Sequence, residues 1–198
     1  LFDWNFYVEG TTYEYLAGDS MPTTGSLNGN GLGSLSWSTS DIGDHTFIAM
    51  FDFEIDEELN GFYNEYGLAS GALLTGQSWE IDEPGFVFGD IYDNLIGGAL
   101  DNSNGVPQGS EDDVSFAVGW DFSLASDQTA TIFLNLGLAA PSEGFYLEHR
   151  DPDSDQSIFL YSSLSIEGGG TVPVSEPATL LLLGAGLAGL CASGRKWR

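Results

Sequence analysis

Apolar and polar residues alternate along much of this chain. From Phe47 to Ile55 the odd positions Phe47, Ala49, Phe51, Phe53 and Ile55 are apolar, with Asp52 and Glu54 between them. Successive side chains of a strand point to opposite faces, so this two-residue period predicts a half-buried strand. Val114–Phe122, Ala130–Leu138 and Ile158–Ile166 repeat the pattern. Phe2–Tyr15, Gly33–Ser38, Gln77–Asp82 and Gly144–Glu148 are further strand candidates. Clusters rich in Gly, Asn and Pro separate them, at Leu27–Gly31, Asn102–Gly105 and Ala140–Gly144, and Asp151–Asp155 joins two strand patterns. Only Ile91–Leu95 and Glu57–Asn64 suit a short helix. Many short strands, each with one apolar face, predict an all-β fold: an antiparallel β-sandwich, jelly-roll-like.

The pattern changes near the end. Glu167-Gly168-Gly169-Gly170-Thr171 reads as a flexible linker. The chain then divides into an acidic β-sandwich domain (1–167), a Gly-rich linker (168–174) and a tail (175–198). Ala178–Ala192 carries no charge, and Arg195-Lys196-Trp197-Arg198 closes the chain. Fifteen helical residues cover about 22 Å, short of the roughly 30 Å hydrocarbon core. With its flanks the run is a marginal transmembrane helix. Three of the four basic residues lie in the last four positions, which orients that end to the cytoplasm. Length alone would also allow a buried core helix, and the basic cluster argues against one. Gly184–Gly189 matches G-x-G-x-x-G, yet a dinucleotide site needs a second strand and an acidic residue about 20 positions on, and nine residues follow Gly189.

The residues Ser175, Glu176, Pro177, Ala178 and Thr179, followed by a Leu/Gly/Ala helix and the basic end of Arg195, Lys196 and Arg198, resemble the PEP-CTERM sorting signal of Gram-negative bacteria. Ser175 stands where that family has its first Pro. The resemblance implies export, transient anchoring in the inner membrane, and removal of the tail by an exosortase. It further implies a final place at the cell surface or in the extracellular matrix, often alongside exopolysaccharide production.

Charge narrows the role of the body. Residues 1–172 hold 29 of the 30 acidic residues against one base, Arg150, a formal charge of −28. Nucleic acid is excluded as a favourable partner, because phosphate neutralisation requires Lys and Arg. Anionic membrane surfaces are disfavoured too. Such a charge strains the compact state unless cations screen it or bind. Disorder is ruled out by an apolar content of 42% and an aromatic content of 13%, ample for a core. The one cysteine, Cys191, lies in the tail, so the body has no disulfide and no thiolate metal site. The start at Leu1-Phe2-Asp3 suits a mature chain whose leader has been cut away, or a trimmed one.

Asp151, Asp153 and Asp155 alternate in a loop, as at the opening of a calcium loop, and hard oxygen ligands of this kind suit Ca²⁺. The EF-hand form is absent: Gln156 takes the place of the turn glycine and Ser162 that of the bidentate Glu. A solvated acidic turn is the competing reading. Asp52, Glu54 and Asp56 fall on one strand face at spacings of about 7 Å. They repel unless solvated or bridged by a cation, and a solvated outer face is expected. Glu80, Asp82 and Glu83, and Glu111-Asp112-Asp113, read the same way. With so many acids, some pair will satisfy any glycosidase spacing, so that signal is empty. His45 and His149 have no metal-ligand spacing around them. No nucleophile elbow, H-E-x-x-H or P-loop is present. Trp79 and Trp120 alternate as core residues, while an exposed aromatic row would suit sugar stacking.

These features lead to a non-enzymatic exported protein acting by adhesion, matrix building or self-association, with strand addition at a sheet edge as one route. A carbohydrate-binding module, calcium-dependent or not, is the alternative, and a secreted hydrolase is a third reading. A concave aromatic face with nearby carboxylates would favour the second. A pocket with two facing carboxylates or a Ser–His pair would favour the third.

Overall fold

A computed structural model describes residues 1–169. The sorting motif Ser175–Thr179, the apolar run after it and the basic residues Arg195, Lys196 and Arg198 lie outside the described residues, as does the expected sorting helix. Among the described residues no helix is long and apolar enough to cross a membrane.

The elements in chain order are β1 (Asp3–Val8), β2 (Thr11–Glu14), β3 (Thr24–Leu27), β4 (Gly33–Thr39), β5 (Gly43–Asp52), α1 (Glu57–Asn60), β6 (Tyr66–Ser70), β7 (Gln77–Asp82), α2 (Ile91–Ile96), β8 (Ser115–Leu124), β9 (Gln128–Gly137), β10 (Tyr146–Asp151) and β11 (Gln156–Gly168). They form two sheets, ordered β2-β1-β5-β8-β7 and β3-β4-β9-β11-β10-β6, with every neighbouring pair antiparallel. The all-β expectation holds, and the long alternating runs became β5, β8, β9 and β11. β11 runs to Gly168, where it still pairs with Gln128, so Glu167 and Gly168 are strand residues and not the start of a linker.

Alternation places the core. Phe47, Phe51, Phe116 and Trp120 from the first sheet pack in one cluster with Ile132, Leu134, Leu136 and Leu160 from the second. Each such side chain stabilises the fold by about 1.5–3 kcal/mol through burial. The cluster draws on both sheets, which is the arrangement of a β-sandwich. β4 pairs with β9 in one sheet and β5 with β8 in the other. The β4–β5 and β8–β9 connections therefore both pass from one sheet to the other. β6 and β7 likewise lie in different sheets, and β11 sits beside β9.

β5 and β8 have a second apolar face. Ile48, Met50 and Ala117 pack there under Ile91 and Leu95 of α2, with Leu100. The expectation of a solvated face at the even positions of β5 fails for this reason: α2 and its flanking loops cover it. Trp120 is buried as expected, and its Nε1–H donates to Ser162 Oγ at 2.9 Å. β3 and β6 escaped the pattern because neither alternates; β4 and β10 supply their order through pairing.

One segment also closes two sheet edges. Asn102 N–H donates to the Trp79 carbonyl at 2.9 Å, and Gly105 N–H to the Ile81 carbonyl at 2.8 Å, which covers β7. Gly67 N–H donates to the Val106 carbonyl at 2.9 Å, which covers part of β6. Asp19 N–H donates to the Glu14 carbonyl at 3.1 Å, which covers the end of β2, and among the described residues β3 is left without such a bond.

Candidate functional site

At one end of the first sheet β5 terminates at Asp52 and β8 begins at Ser115, and these two residues are register partners. Partners in an antiparallel pair share a face, so the carboxylate and the hydroxyl lie side by side. Asp52 is 1% exposed and Ser115 0%. Neither Asp52 oxygen has a hydrogen-bond partner, and nor does Ser115 Oγ. Two residues beyond Asp52 comes Glu54, and two before Ser115 comes Asp113. Carboxylate oxygens of Asp52, Glu54 and Asp113 all lie within 4.8 Å of one another. Glu54 Oε2 and Asp113 Oδ1 are likewise buried without partners.

This arrangement is electrostatically costly. Burial, followed by the charges of Asp113, Glu54 and Asp3, pushes Asp52 up to about 8, against a smaller lowering by the Ser115 hydroxyl beside it. Burial, then the Asp113 and Glu65 charges, pushes Glu54 up to about 8. Asp113 rises to about 6, again chiefly by burial. Among the described residues no basic group forms an ion pair with any of the three. The expectation that Asp52, Glu54 and Asp56 share a solvated face is corrected here. Asp52 is covered, and Asp56 is exposed beyond the strand, where its Oδ2 accepts from Gln156 Nε2 at 2.9 Å.

The other acids expected to matter are arranged differently. Asp151 is buried at the start of the β10–β11 turn and is fully engaged. Asn60 Nδ2 donates to it at 2.7 Å, Asn64 Nδ2 at 2.9 Å and Asp153 N–H at 2.8 Å. Burial alone would raise Asp151, and the donors from Ser154, Asn60 and Asp153 outweigh it and hold the group below its ordinary value. Asp153 accepts from Asn64 Nδ2 at 3.3 Å, and Asp155 pairs with Arg150. The structure thus ties Asp151 to the α1 segment and turns Asp155 to the one base of the body. It does not bring the three carboxylates together. Glu80, Asp82 and Asp90 do converge within 4.8 Å, but there Glu80 accepts from Asn94 Nδ2 at 2.9 Å and Asp82 from Asp90 N–H at 2.8 Å.

His45 is engaged at both ring nitrogens, and His149 at Nε2 alone, its Nδ1 being buried without a partner. His45 Nδ1 meets Glu9 Oε1 at 2.8 Å and Nε2 meets the Asp41 carbonyl at 2.8 Å. Both partners are acceptors, which favours the charged ring, and against the opposing effect of burial they raise its pKa. His149 Nε2 is hydrogen-bonded to Glu65 Oε2, with both side chains buried. Burial pushes Glu65 up to about 8 and His149 down to about 3. The pair therefore shares one proton and carries no net charge. No serine stands with either ring, which leaves the hydrolase reading without its Ser–His pair among the described residues.

A cleft opens above the Asp52 cluster. Phe62, Tyr63, Glu83, Phe86, Phe88 and Asp113 line a cavity of about 430 Å³. An adjoining cavity of about 310 Å³ shares Phe62, Phe86 and Asp113 with it and adds Phe2, Leu16 and Glu54. The rim is apolar and exposed: Tyr63 and Phe88 each expose 67% of their surface, and Val87 80%. The rim loop is set by Gly85 N–H donating to the Phe88 carbonyl at 2.9 Å and by Asp90 N–H on Asp82. Gly89 has φ +80°, and a Cβ there would run into the Glu83 carbonyl, so only glycine permits this turn. On the opposite wall Phe62 and Tyr63 follow α1, the segment that Asp151 pins through Asn60 and Asn64. The sequence carried a signal for the rim in Phe86-Val87-Phe88, three apolar residues between Pro84-Gly85 and Gly89 with no strand pattern around them.

The cleft lies on the body, and comparison with known proteins speaks to the tail. Residues 173–196 match the family model of the PEP-CTERM protein-sorting motif. The chain carries a PEP-CTERM sorting signal. This signal marks an exported protein, a substrate for exosortase processing that is anchored in the membrane only transiently. The match places Ser175, Glu176, Pro177, Ala178 and Thr179 at the start of the signal, with Arg195 and Lys196 at its end. No curated protein and no solved structure matches the chain.

Proposed function

We propose that this PEP-CTERM protein is a non-enzymatic component of the cell surface or extracellular matrix, and that its body acts by adhesion, holding matrix carbohydrate in the aromatic cleft. The observation behind this reading is the exposed pair Tyr63 and Phe88 around a cavity with Glu83 and Asp113 in its lining. Sugar rings stack their C–H faces on aromatic rings and donate their hydroxyls to carboxylates. The test is binding of the purified chain to a glycan array and to immobilised exopolysaccharide. Binding that falls at least tenfold in Tyr63→Ala and in Phe88→Ala supports the reading. Failure to bind any polysaccharide would sink it.

Val87 favours self-association as a second reading. It is the most exposed of the rim residues and offers a sugar neither a ring nor a polar group. Concentration-dependent sedimentation that disappears in Val87→Ser, with glycan binding absent, would establish that reading in place of the first.

A further inference from the structure

We propose that Asp52, Glu54 and Asp113, with the Ser115 hydroxyl, bind one divalent cation beneath the aromatic cleft, and that the ligand chemistry selects Ca²⁺. The inference concerns a site separate from the Asp151–Asp155 turn, and it does not depend on what occupies the cleft.

Crowded acids alone would carry nothing, since this chain is rich in them. What sets this group apart is the absence of protein partners where partners are obligatory. Buried polar atoms in folded proteins are almost always hydrogen-bonded. Here both Asp52 oxygens, Ser115 Oγ, Glu54 Oε2 and Asp113 Oδ1 are buried and unpartnered in one place. Ser115 is neutral and 0% exposed, it stands opposite Asp52 in the β5–β8 register, and its hydroxyl acts on Asp52 while making no well-formed hydrogen bond, so an uncharged buried oxygen joins the acids at the same point. The Glu80–Asp82–Asp90 group is the internal control. It is equally crowded, but amide and backbone donors fill it.

Ligand type selects the ion. All the donors are oxygens, which suits hard cations and not Zn²⁺ or Cu²⁺. Mg²⁺ demands a near-ideal octahedron and gives up its waters reluctantly, whereas Ca²⁺ accepts an irregular set of protein oxygens, as here from a strand end, its flanking segments and a serine hydroxyl. One oxygen from each of the three acids lies within 4.8 Å of the others, close enough to share an ion. Asp52 and Ser115 sit on paired strands and are held rigidly. Glu54 and Asp113 line the 310 Å³ cavity, which gives the ion a path in and leaves its outer positions to water.

The test uses the full chain, stripped with a chelator and held in detergent at neutral pH. Millimolar CaCl₂ should raise its melting temperature well beyond NaCl of equal ionic strength, with MgCl₂ giving a smaller shift. Calorimetry should show one site, and Tb³⁺ should bind there with luminescence sensitised by nearby rings and quenched by Ca²⁺. Asp52→Asn and Asp113→Asn should each lower Ca²⁺ affinity at least tenfold, while Asp153→Asn should leave it unchanged. Asn relieves the repulsion between the acids, so both cluster variants should fold without the ion. If one does not fold, the Tb³⁺ signal of the other decides. Equal shifts with CaCl₂ and NaCl would overturn the proposal, as would Ca²⁺ binding that survives both substitutions.

Discussion

Two acidic groups near the cleft show opposite solutions to the same electrostatic problem. At the β10–β11 turn, Asp151 is buried with donors from Asn60, Asn64 and its own backbone, and it remains a carboxylate below its ordinary pKa. At the β5–β8 end, Asp52 is buried with no well-formed hydrogen bond and only the neighbouring Ser115 hydroxyl to favour its charge, and burial pushes it up to about 8. The alternating Asp151-Asp153-Asp155 run looks the more like a cation loop in sequence. Its buried carboxylate is already filled by protein donors, while the unpartnered oxygens around it are the neutral ones of Asn60, Asn64 and Ser154. Acid density is therefore a poor guide to a site in so acidic a chain, and missing partners are a better one.

The comparison is broken most directly at Asp151. Asp151→Ala removes acceptors for Asn60 Nδ2, Asn64 Nδ2 and Asp153 N–H, and leaves three part-buried donors bare. The expected loss is about 3 kcal/mol in chemical denaturation. Because Asn60 and Asn64 flank Phe62 and Tyr63, ligand binding at the cleft should weaken too. A loss within about 0.5 kcal/mol, the ordinary range for surface substitutions, would show that the turn is merely solvated.

Glu65 represents a third solution, a buried acid that keeps its proton by sharing it with His149. The folded pair holds one proton between about 3 and about 8. The unfolded pair, with ordinary values of 4.5 and 6.5, holds two protons below 4.5, one between them and none above 6.5. Stability rises with pH where the unfolded state holds more protons, and falls where the folded state does. The pair's contribution is therefore flat from 4.5 to 6.5, lost as pH rises from 6.5 toward 8, and lost as pH falls from 4.5 toward 3. The alkaline loss is on the order of 2 kcal/mol. Gln at 65 can still accept from Ile55 N–H and donate to His149, so Glu65→Gln should flatten the alkaline limb of denaturation midpoints measured against pH. Parallel profiles for the two proteins would exclude the shared proton.

Much of this architecture was legible in the sequence, and the limits were physical. β5, β8 and β9 stood out because each turns a strict apolar row to the core, and β11 because Ser162 alone interrupts its row between Leu160 and Leu164. The same rule misplaced Asp52. Its row was read as solvated on the strength of Asp52 and Glu54, although Ile48 and Met50 in that row already required a cover, and α2 supplies it. A polar residue at the end of a row that is apolar further back is a candidate for burial. Ser115 gave no signal, because a serine between Val114 and Phe116 reads as an ordinary outward position. The cleft depends on two loops far apart in the chain, α1 with Phe62–Tyr63 and the Glu83–Asp90 loop, and only folding brings them together. The sorting signal was fully legible, because its parts are contiguous and need no fold to be recognised.

The smallest effect on stability, and the sharpest sign, is expected at Asp52 itself. In metal-free protein at pH 8, Asp52→Asn replaces a buried carboxylate that lies among other acids by a neutral amide that can donate to Glu54 and Asp113. The variant should be more stable than the parent by about 1–2 kcal/mol. This is opposite in sign to Asp151→Ala, although both substitutions remove a buried aspartate. The gain should shrink as the pH falls toward 5, where the parent carboxyl takes up its own proton and the two side chains become electrostatically alike. It should reverse in saturating Ca²⁺, because only the parent keeps the full set of ligands. Urea denaturation of both proteins at pH 5 and pH 8, with and without Ca²⁺, separates the alternatives. A variant less stable than the parent at pH 8 without Ca²⁺ would mean that Asp52 has a partner, and the contrast with Asp151 would vanish.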